Sequence, residues 1–326
     1  MTRCPVPEVS VVIGAYNAAD TLGACLDSLL SQEGVDLEVI VVNDGSKDAT
    51  GAMLDEAARR DPRVRPIHQE NQGLTRALLR GCSETRGEFI ARQDADDLSL
   101  PGRLAAQLAR ARAPDRPVLV AVGCGCVTEE GDLLYLTQPP AEDAEARRKI
   151  LEEGRAICCH GALLFRRDVY EQIGGYRPVF YYSQDIDLIV RLAECGTVSG
   201  IPRRLYDFAY SPTGISGLHI ERQLRFFNLS REAQRARAAG RDEAPFLEQA
   251  EAFRRQCLES RGRGGGGKRD PSAGYFFMAS CLRRTAPLRA RHFYRQAWRH
   301  RPFSPRYALR YLLSLLPANP SPQGTP

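Results

Sequence analysis

The sequence predicts an α/β fold: a mixed, mostly parallel sheet with helices on both faces, continued by a C-terminal helical appendage. Three observations carry this. Over the first hundred residues, short runs rich in β-branched residues alternate with segments whose apolar residues recur at helical spacing. Polar turns follow the strand runs. The charge is divided as well, with residues 1–216 summing to −8 and residues 217–326 to +13 within an overall +5, so the two parts have different surfaces.

The elements follow in order. Val9-Ser10-Val11-Val12-Ile13 is a strand run, and Leu22, Cys25, Leu26, Leu29 and Leu30 fall on one face of an amphipathic helix. A strand is predicted over 37–42, a helix near 49–60, a strand over 64–67, a helix near 73–82 and a fourth strand ending at Asp94. This rhythm gives a parallel sheet, whose ligands bind beyond the carboxyl ends of the strands. Beyond it the pattern is mixed: a helix starting at Ser99-Leu100-Pro101, a strand over 118–122, a hairpin across Glu129-Glu130-Gly131-Asp132, a charged helix near 142–153 and a strand over 161–165. A short helix stops at Gly174-Gly175, and Ile186, Ile189, Val190 and Ala193 mark the inward face of another. Residues 217–260 read as a helical extension, 261–270 as a Gly/Arg-rich flexible linker, 271–316 as a basic amphipathic helical segment and 317–326 as a disordered tail.

Composition narrows the class. With 326 residues, 43% hydrophobic and 26% charged, the chain has ordinary globular composition. No apolar run reaches the roughly 18 residues of a membrane span, and Met1-Thr2-Arg3-Cys4-Pro5 lacks a signal-peptide core, so a cytoplasmic location is expected. The ten cysteines then read as reduced thiols that fill the core; neither Cys124-Gly125-Cys126 nor Cys158-Cys159-His160 has zinc-site spacing. Forty-two arginines against three lysines point to a GC-rich bacterial genome.

The loops after the first four strands are Gly14-Ala15-Tyr16-Asn17, Asn43-Asp44-Gly45-Ser46-Lys47-Asp48, Gln69-Glu70-Asn71-Gln72-Gly73 and Asp94-Ala95-Asp96-Asp97, and all four are expected on one sheet edge. An aromatic face, amides and carboxylates together suit a nucleotide. The last loop puts three carboxylates within four residues, which repel one another unless positive charge sits among them. A Mg²⁺ or Mn²⁺ ion holding a phosphate is one reading, and a solvated acidic turn before a helix is the other. Asp185 lies one turn before Ile189 and faces the body of the protein, as a catalytic base or a helix cap would, whereas Asp187 is expected to turn toward the far side.

Between 261 and 316 stand 13 Lys+Arg and one acid, Asp270, with aromatic residues interleaved. Such helices suit peripheral contact with an anionic membrane, here the inner face of the plasma membrane, or an acidic acceptor. The plainer reading is a solvated face packed on the acidic part of the chain.

Taken in order, five motifs resemble the inverting family 2 glycosyltransferases over roughly residues 7–216. They are Val-Ser-Val-Val-Ile-Gly-Ala-Tyr-Asn ending at Asn17, Val-Asn-Asp-Gly-Ser-Lys-Asp ending at Asp48, Asn71-Gln72-Gly73-Leu74-Thr75-Arg76-Ala77, Asp94-Ala95-Asp96-Asp97, and Gly174-Gly175-Tyr176 with Gln184-Asp185-Ile186-Asp187-Leu188. The resemblance implies a GT-A catalytic domain over 1–216. Its implied reaction moves a sugar from a nucleoside-diphosphate sugar, UDP sugars favoured, to a hydroxyl of a saccharide or lipid-linked acceptor, in cell-surface polysaccharide or glycolipid synthesis. The implied cofactor is Mn²⁺ or Mg²⁺, and nucleic acid is not among the implied partners. Residue by residue, it implies Ala15, Tyr16 and Asp44 at the nucleobase, Arg76 and Asp94 at the nucleoside and its surroundings, and Asp96 as the metal ligand of a D-x-D motif with Asp97 supporting it. Asp185 is the implied general base.

Two departures stand out. Many relatives carry an Arg and a His near what is here 208–216, where this chain has neither, so His160 or His219 is a candidate substitute; and Glu is commoner than Gln184 before the base. Two alternatives compete with the enzyme reading. A phosphatase of the haloacid dehalogenase type wants its Asp-x-Asp after the first strand and a Thr where Leu98 stands. A noncatalytic GT-A-fold protein would keep the fold only to bind a nucleotide or glycan.

Overall fold

The computed structural model describes residues 6–212, 220–261 and 270–315. The chain divides into two compact units, the first comprising Met1–Gly125, Leu136–Phe208 and Glu221–Gly264, the second Cys126–Tyr135, Ala209–Ile220 and Gly265–Pro326. In the first unit β1 (Val9–Ala15), β2 (Leu37–Asp44), β3 (Val64–Gln69) and β4 (Phe89–Arg92) run parallel, with Val9 opposite both Leu37 and Phe89. All eight residues of β2 are buried, as expected of a strand covered on both faces. The connections are α1 (Leu22–Leu30), α2 (Thr50–Arg60) and α3 (Leu74–Ser83), and α1 buries the predicted Leu22, Cys25, Leu26 and Leu29. Because the strands are parallel, their carboxyl ends and the polar loops that follow share one edge.

The chain continues through β5 (Leu98–Ser99), α4 (Arg103–Ala111), β6 (Leu119–Val127), β7 (Leu133–Thr137), α5 (Asp143–Arg147) leading into one π-helical turn, β8 (Leu163–Arg166), α6 (Arg167–Gln172), α7 (Gln184–Cys195) and β9 (Val198–Ala209). The sheet order is β3-β2-β1-β4-β8-β6-β9-β5, with β7 paired to β6 across the predicted hairpin. β8 is antiparallel to β4 and β6, and β9 to β5.

Three expectations need correction. The helix start expected at Ser99 falls later, because Leu98–Ser99 pairs with β9 and the Ser99 hydroxyl donates to Gln93 Oε1 at 2.8 Å; α4 begins only after Gly102, at φ 78°. The long strand β9 is absent from the predicted elements because Pro202, Arg203 and Arg204 interrupt its apolar alternation. The third concerns residues 217–260. Helices Ile220–Ala238 and Ala244–Arg261 belong to the first unit, where Phe226 packs with Phe180 and Phe253, Arg231 donates to the Ile150 and Leu151 carbonyls, and Arg177 pairs with Glu243 at 2.7 Å. Glu243 and Arg237 supply ion pairs to the body, to Arg177 and Glu194, while Arg235–Glu232 and Arg254–Glu251 pair within the helices.

The second unit contains helices Ser272–Leu282, Pro287–His300 and Pro305–Leu313, the last two opening on Pro, which suits a position with no helical N–H partner. Tyr135 and Tyr210 pack on Phe277, Arg289 pairs with Asp132 and Glu130, and Trp298 stacks on Tyr311. Most of the predicted linker and the predicted tail over 317–326 lie outside the described residues, as does His219. No helix among the described residues is long and apolar enough to cross a membrane. The nine described cysteines form no disulfide among the described residues, and Cys25, Cys82, Cys124, Cys126, Cys158 and Cys257 are buried.

Helix α3 approaches the sheet closely at Gly81, where an added Cβ would lie 2.6 Å from Val12 Cγ1 and 3.2 Å from Val42 Cγ2. Gly81→Ala is therefore expected to lower unfolding stability by about 1–3 kcal/mol through overpacking, read as a lower urea midpoint; an unchanged midpoint would contradict this packing.

Candidate active site

Hydrogen bonds tie the edge loops to one another. Asn17 N–H donates to Ser46 Oγ at 2.9 Å and Asn17 Oδ1 accepts from Lys47 N–H at 2.8 Å, which locks the loop after β1 to the loop after β2. Asp44 locks the second to the third: its Oδ1 accepts from Gln69 Nε2 (2.7 Å) and Gln72 N–H (2.8 Å), and its Oδ2 from Gly73 N–H (2.8 Å). The end of this loop and the first turn of α1 also reach the acidic loop, because Thr21 Oγ1 donates to the Ala95 carbonyl at 3.0 Å and Cys25 Sγ to the Asp94 carbonyl at 3.3 Å. Asn17 is held at φ 51°, a left-handed conformation costly for a non-glycine residue. Tyr16 is left 49% exposed beside the buried Ala15, so its ring face is open at this edge.

Asp44 was expected to accept a nucleobase N–H. The structure adds that its buried carboxylate already takes three hydrogen bonds from the chain, which leaves Oδ2 with acceptor capacity to spare. Arg76 lies in the first turn of α3, just after Gly73, and is exposed with no ion pair among the described residues.

The acidic loop rests on two buried arginines. Arg92, the last residue of β4, donates to the Gln93 carbonyl and to Asp94 Oδ1. Burial opposes its charge, but Asp94 outweighs that and its pKa is raised. Arg103, at the start of α4, has no solvent exposure and no carboxylate partner among the described residues. Its guanidinium donates to Gln93 Oε1 (2.7 Å), Ser99 Oγ (2.8 Å), Gln107 Oε1 (3.1 Å) and the carbonyls of Arg92 (2.8 Å) and Gly161 (2.7 Å). It lies 4.6 Å above the Tyr206 ring, and the Tyr206 hydroxyl donates to Asp97 Oδ2 at 2.7 Å while accepting from Asp94 N–H at 3.1 Å. Burial first, then the charges of Asp97 and Asp94, push the Tyr206 pKa well up, so it remains a donor.

The three acids consequently separate. Asp94 is paired with Arg92, Asp97 is buried on Tyr206, and Asp96 is exposed with no side-chain partner among the described residues. Desolvation by its surroundings and then the charge of Asp94 raise the Asp96 pKa. Among the described residues no three His, Cys, Asp or Glu gather as a self-contained metal cage. One open carboxylate fits instead an Mg²⁺ or Mn²⁺ ion that takes its remaining ligands from phosphate oxygens and water.

Asp185 sits in the first turn of α7, preceded by Ser183 at φ 57°. This turn is clamped from two sides: Thr75 Oγ1 donates to the Phe180 carbonyl at 2.9 Å, and Ser183 Oγ to the Gln223 carbonyl at 3.1 Å. Gly73 admits the same segment, since an added Cβ would lie 2.8 Å from the Tyr181 ring. Burial raises the Asp185 pKa, backbone N–H groups of Ile186 and Asp185 oppose that, and the charge of Asp94 raises it further against Arg92. A half-buried carboxylate with raised basicity and a fixed helix-start geometry is suited to proton abstraction. Asp187 differs from expectation: it is 1% exposed and paired with Arg191 at 2.5 Å and Arg177 at 3.6 Å. The far side of α7 is covered by protein, where Arg191 also donates to the Ile173 and Gly175 carbonyls.

His160 lies next to this cluster, its Nε2 2.7 Å from the Tyr176 hydroxyl. Burial, and then the charge of Arg92, hold its pKa well below the ordinary imidazole value, so it is neutral at pH 7. The residues that pattern reasoning missed are Arg103 and Tyr206. Arg103 does carry a signal: it precedes Leu104 and stands four residues before Gln107, on the stripe that α4 buries.

Residues 10–174 match the family model described as Glycosyl transferase family 2. The chain is 32% identical over 175 residues to the glycosyltransferase EpsJ of Bacillus subtilis, covering 51% of this chain and 50% of EpsJ. It is 29% identical over 223 residues to the chondroitin synthase of Escherichia coli, covering 68% of this chain but 32% of that enzyme. The chain thus spans about half the length of EpsJ and a third of the synthase. Among solved structures, S. aureus TarS 1-349 in complex with UDP-GlcNAc shares the fold with a TM-score of 0.55 at 14% identity, over 94% of this chain and 89% of that one. With half the chain inside the family model and the GT-A architecture around its motifs, the protein belongs to glycosyltransferase family 2.

Proposed function

We propose that the chain is a metal-dependent inverting glycosyltransferase that moves a sugar from a nucleoside-diphosphate sugar to a hydroxyl of a growing polysaccharide or lipid-linked acceptor. The observation that carries this reading is the pairing of an open Asp96 with a half-buried, raised Asp185, both within reach of the charge of Asp94. Tyr16 would lie against the nucleobase, with Ala15 beneath it and the spare acceptor capacity of Asp44 toward a base N–H. Arg76 would meet the negative nucleoside diphosphate at the start of α3, where the helix dipole also favours anions. Asp96 would hold Mn²⁺ or Mg²⁺, supported by Asp97 from beneath, and the ion when bound offsets charge growing on the leaving diphosphate. Asp185 would take the proton of the attacking acceptor hydroxyl, and a single displacement from the face opposite the leaving group inverts the anomeric centre.

A UDP sugar is the favoured donor because a protein of the same fold was crystallised with UDP-GlcNAc. Polysaccharide synthesis is favoured because a relative is named a chondroitin synthase. The same reading has the enzyme draw on a cytoplasmic nucleotide-sugar pool, at the inner face of the plasma membrane.

A thermal-shift screen of nucleotide sugars with Mn²⁺ identifies the donor, since ligands that bind the folded state stabilise it. With that donor, Asp185→Asn is expected to lower transfer by about 10²–10⁴-fold while donor affinity is kept. Full transfer by the variant would remove the base role, and a wild type that binds donor without transferring would favour the noncatalytic alternative. Wild-type kcat/KM should fall on acidification along a limb above the ordinary aspartate value of 3.8, because the base works ionised and its pKa is raised by burial and by Asp94 against Arg92, with neutral Tyr176 and Cys158 alongside. A rate independent of pH from 4 to 7 would contradict the assignment.

A further inference from the structure

The second unit carries an exposed surface to which the proposed transfer assigns no residue. Helix Pro305–Leu313 turns Tyr307 inward, where it packs on Phe276, and leaves Leu309, Leu312 and Leu313 outward at i, i+3, i+4 spacing, 57%, 56% and 48% exposed. Phe303, in the turn that leads into this helix, is 97% exposed. Arg310 borders the leucines, and Arg306, one helical turn before it, is exposed with its guanidinium 4.4 Å over the Phe276 ring. Single exposed leucines are ordinary, but three on one helix face beside an exposed phenylalanine form a patch.

Charge says what covers it. Residues 270–315 contain nine arginines, and only Arg289, on Asp132 and Glu130, and Arg301, on Asp270, have a carboxylate partner among the described residues. The remaining seven present unbalanced positive charge. An apolar stripe bordered by arginine is what a helix lying in the headgroup region of an anionic bilayer requires: leucines enter the acyl boundary, and guanidinium groups meet lipid phosphates. We propose that helix Pro305–Leu313 with Phe303 is a peripheral docking face for an anionic lipid surface. The inference concerns the second unit alone and does not depend on which donor or acceptor the enzyme uses.

Co-sedimentation of the full chain with phosphatidylcholine vesicles, with and without phosphatidylglycerol, tests it in the absence of any nucleotide sugar. Binding is expected only with phosphatidylglycerol and is expected to weaken by about fivefold for each arginine neutralised in Arg306→Gln and Arg310→Gln. The triple variant Leu309→Ser, Leu312→Ser, Leu313→Ser should lose sedimentation while its melting curve stays that of the wild type, since these side chains are solvent-exposed. Sedimentation independent of phosphatidylglycerol would overturn the proposal, as would full binding by the leucine variant. Light scattering supplies a further arm: a dimer in the absence of lipid that the leucine variant converts to monomer would assign the face to a second copy of the chain and overturn the lipid reading.

Discussion

The buried guanidinium of Arg103 is the group on which the acidic loop depends. Two like charges about 6 Å apart at an effective dielectric near 20 repel by about 3 kcal/mol, a large share of a domain's net stability of about 5–15 kcal/mol. Asp94, Asp96 and Asp97 stand within four residues, so their loop needs fixed positive charge even before any ligand arrives. Arg92 meets Asp94 directly. Arg103 acts otherwise: five neutral acceptors and the Tyr206 ring hold it in place, and its charge reaches Asp97 through a hydroxyl instead of an ion pair. A buried cation without a carboxylate is costly to desolvate, and burial does lower the Arg103 pKa. That cost is tolerable because the same donors fix the backbone at Arg92 and Gly161 on either side of the site. Gly161 shows how tight the arrangement is, since an added Cβ would sit 1.9 Å from the Tyr206 hydroxyl.

From this follows the difference between acids that look equivalent in sequence. Two carboxylates are committed to protein partners, and the third is open to solvent. The same logic separates Asp185 from Asp187. Both lie in the first turn of α7, but Asp187 is neutralised by Arg191 and Arg177 whereas Asp185 faces the field of Asp94 and Arg92. A carboxylate locked between guanidinium groups is a poor base, and one that is desolvated and only partly compensated is a better one. Positive φ at Asn17 and Ser183 places backbone strain at both margins of the site, held there by the side-chain hydrogen bonds that cross between loops.

Much of the first half was legible because it obeys short-range rules. The β-branched runs and the Leu22 to Leu30 stripe set period and direction, and parallel strands then force the polar loops onto one edge. What escaped is long-range. Tyr206 sits in a strand whose Pro202, Arg203 and Arg204 hide its period, and nothing local shows that its hydroxyl will meet Asp97. Arg103 stands on the buried stripe of α4, but its partners in β9 and at Gly161 are 103 and 58 residues away and leave no local sign. The bonds that Asp44 accepts from Gln72 and Gly73, 28 and 29 residues away, likewise have no local sign. The helical extension over 217–260 shows both charge signs in sequence, but not that Glu243 pairs with Arg177, 66 residues away, and Arg237 with Glu194, 43 residues away.

The central claim is that the acidic loop is a nucleoside-diphosphate site in which Asp96 alone is open to a divalent cation. Titration calorimetry of UDP against the wild type and Asp96→Ala, each with Mn²⁺ and with a chelator, tests it most directly. The structure predicts binding by the wild type that depends on Mn²⁺, and binding by Asp96→Ala that is weak and indifferent to the metal. Equally tight binding of UDP by both proteins in the chelator would contradict it.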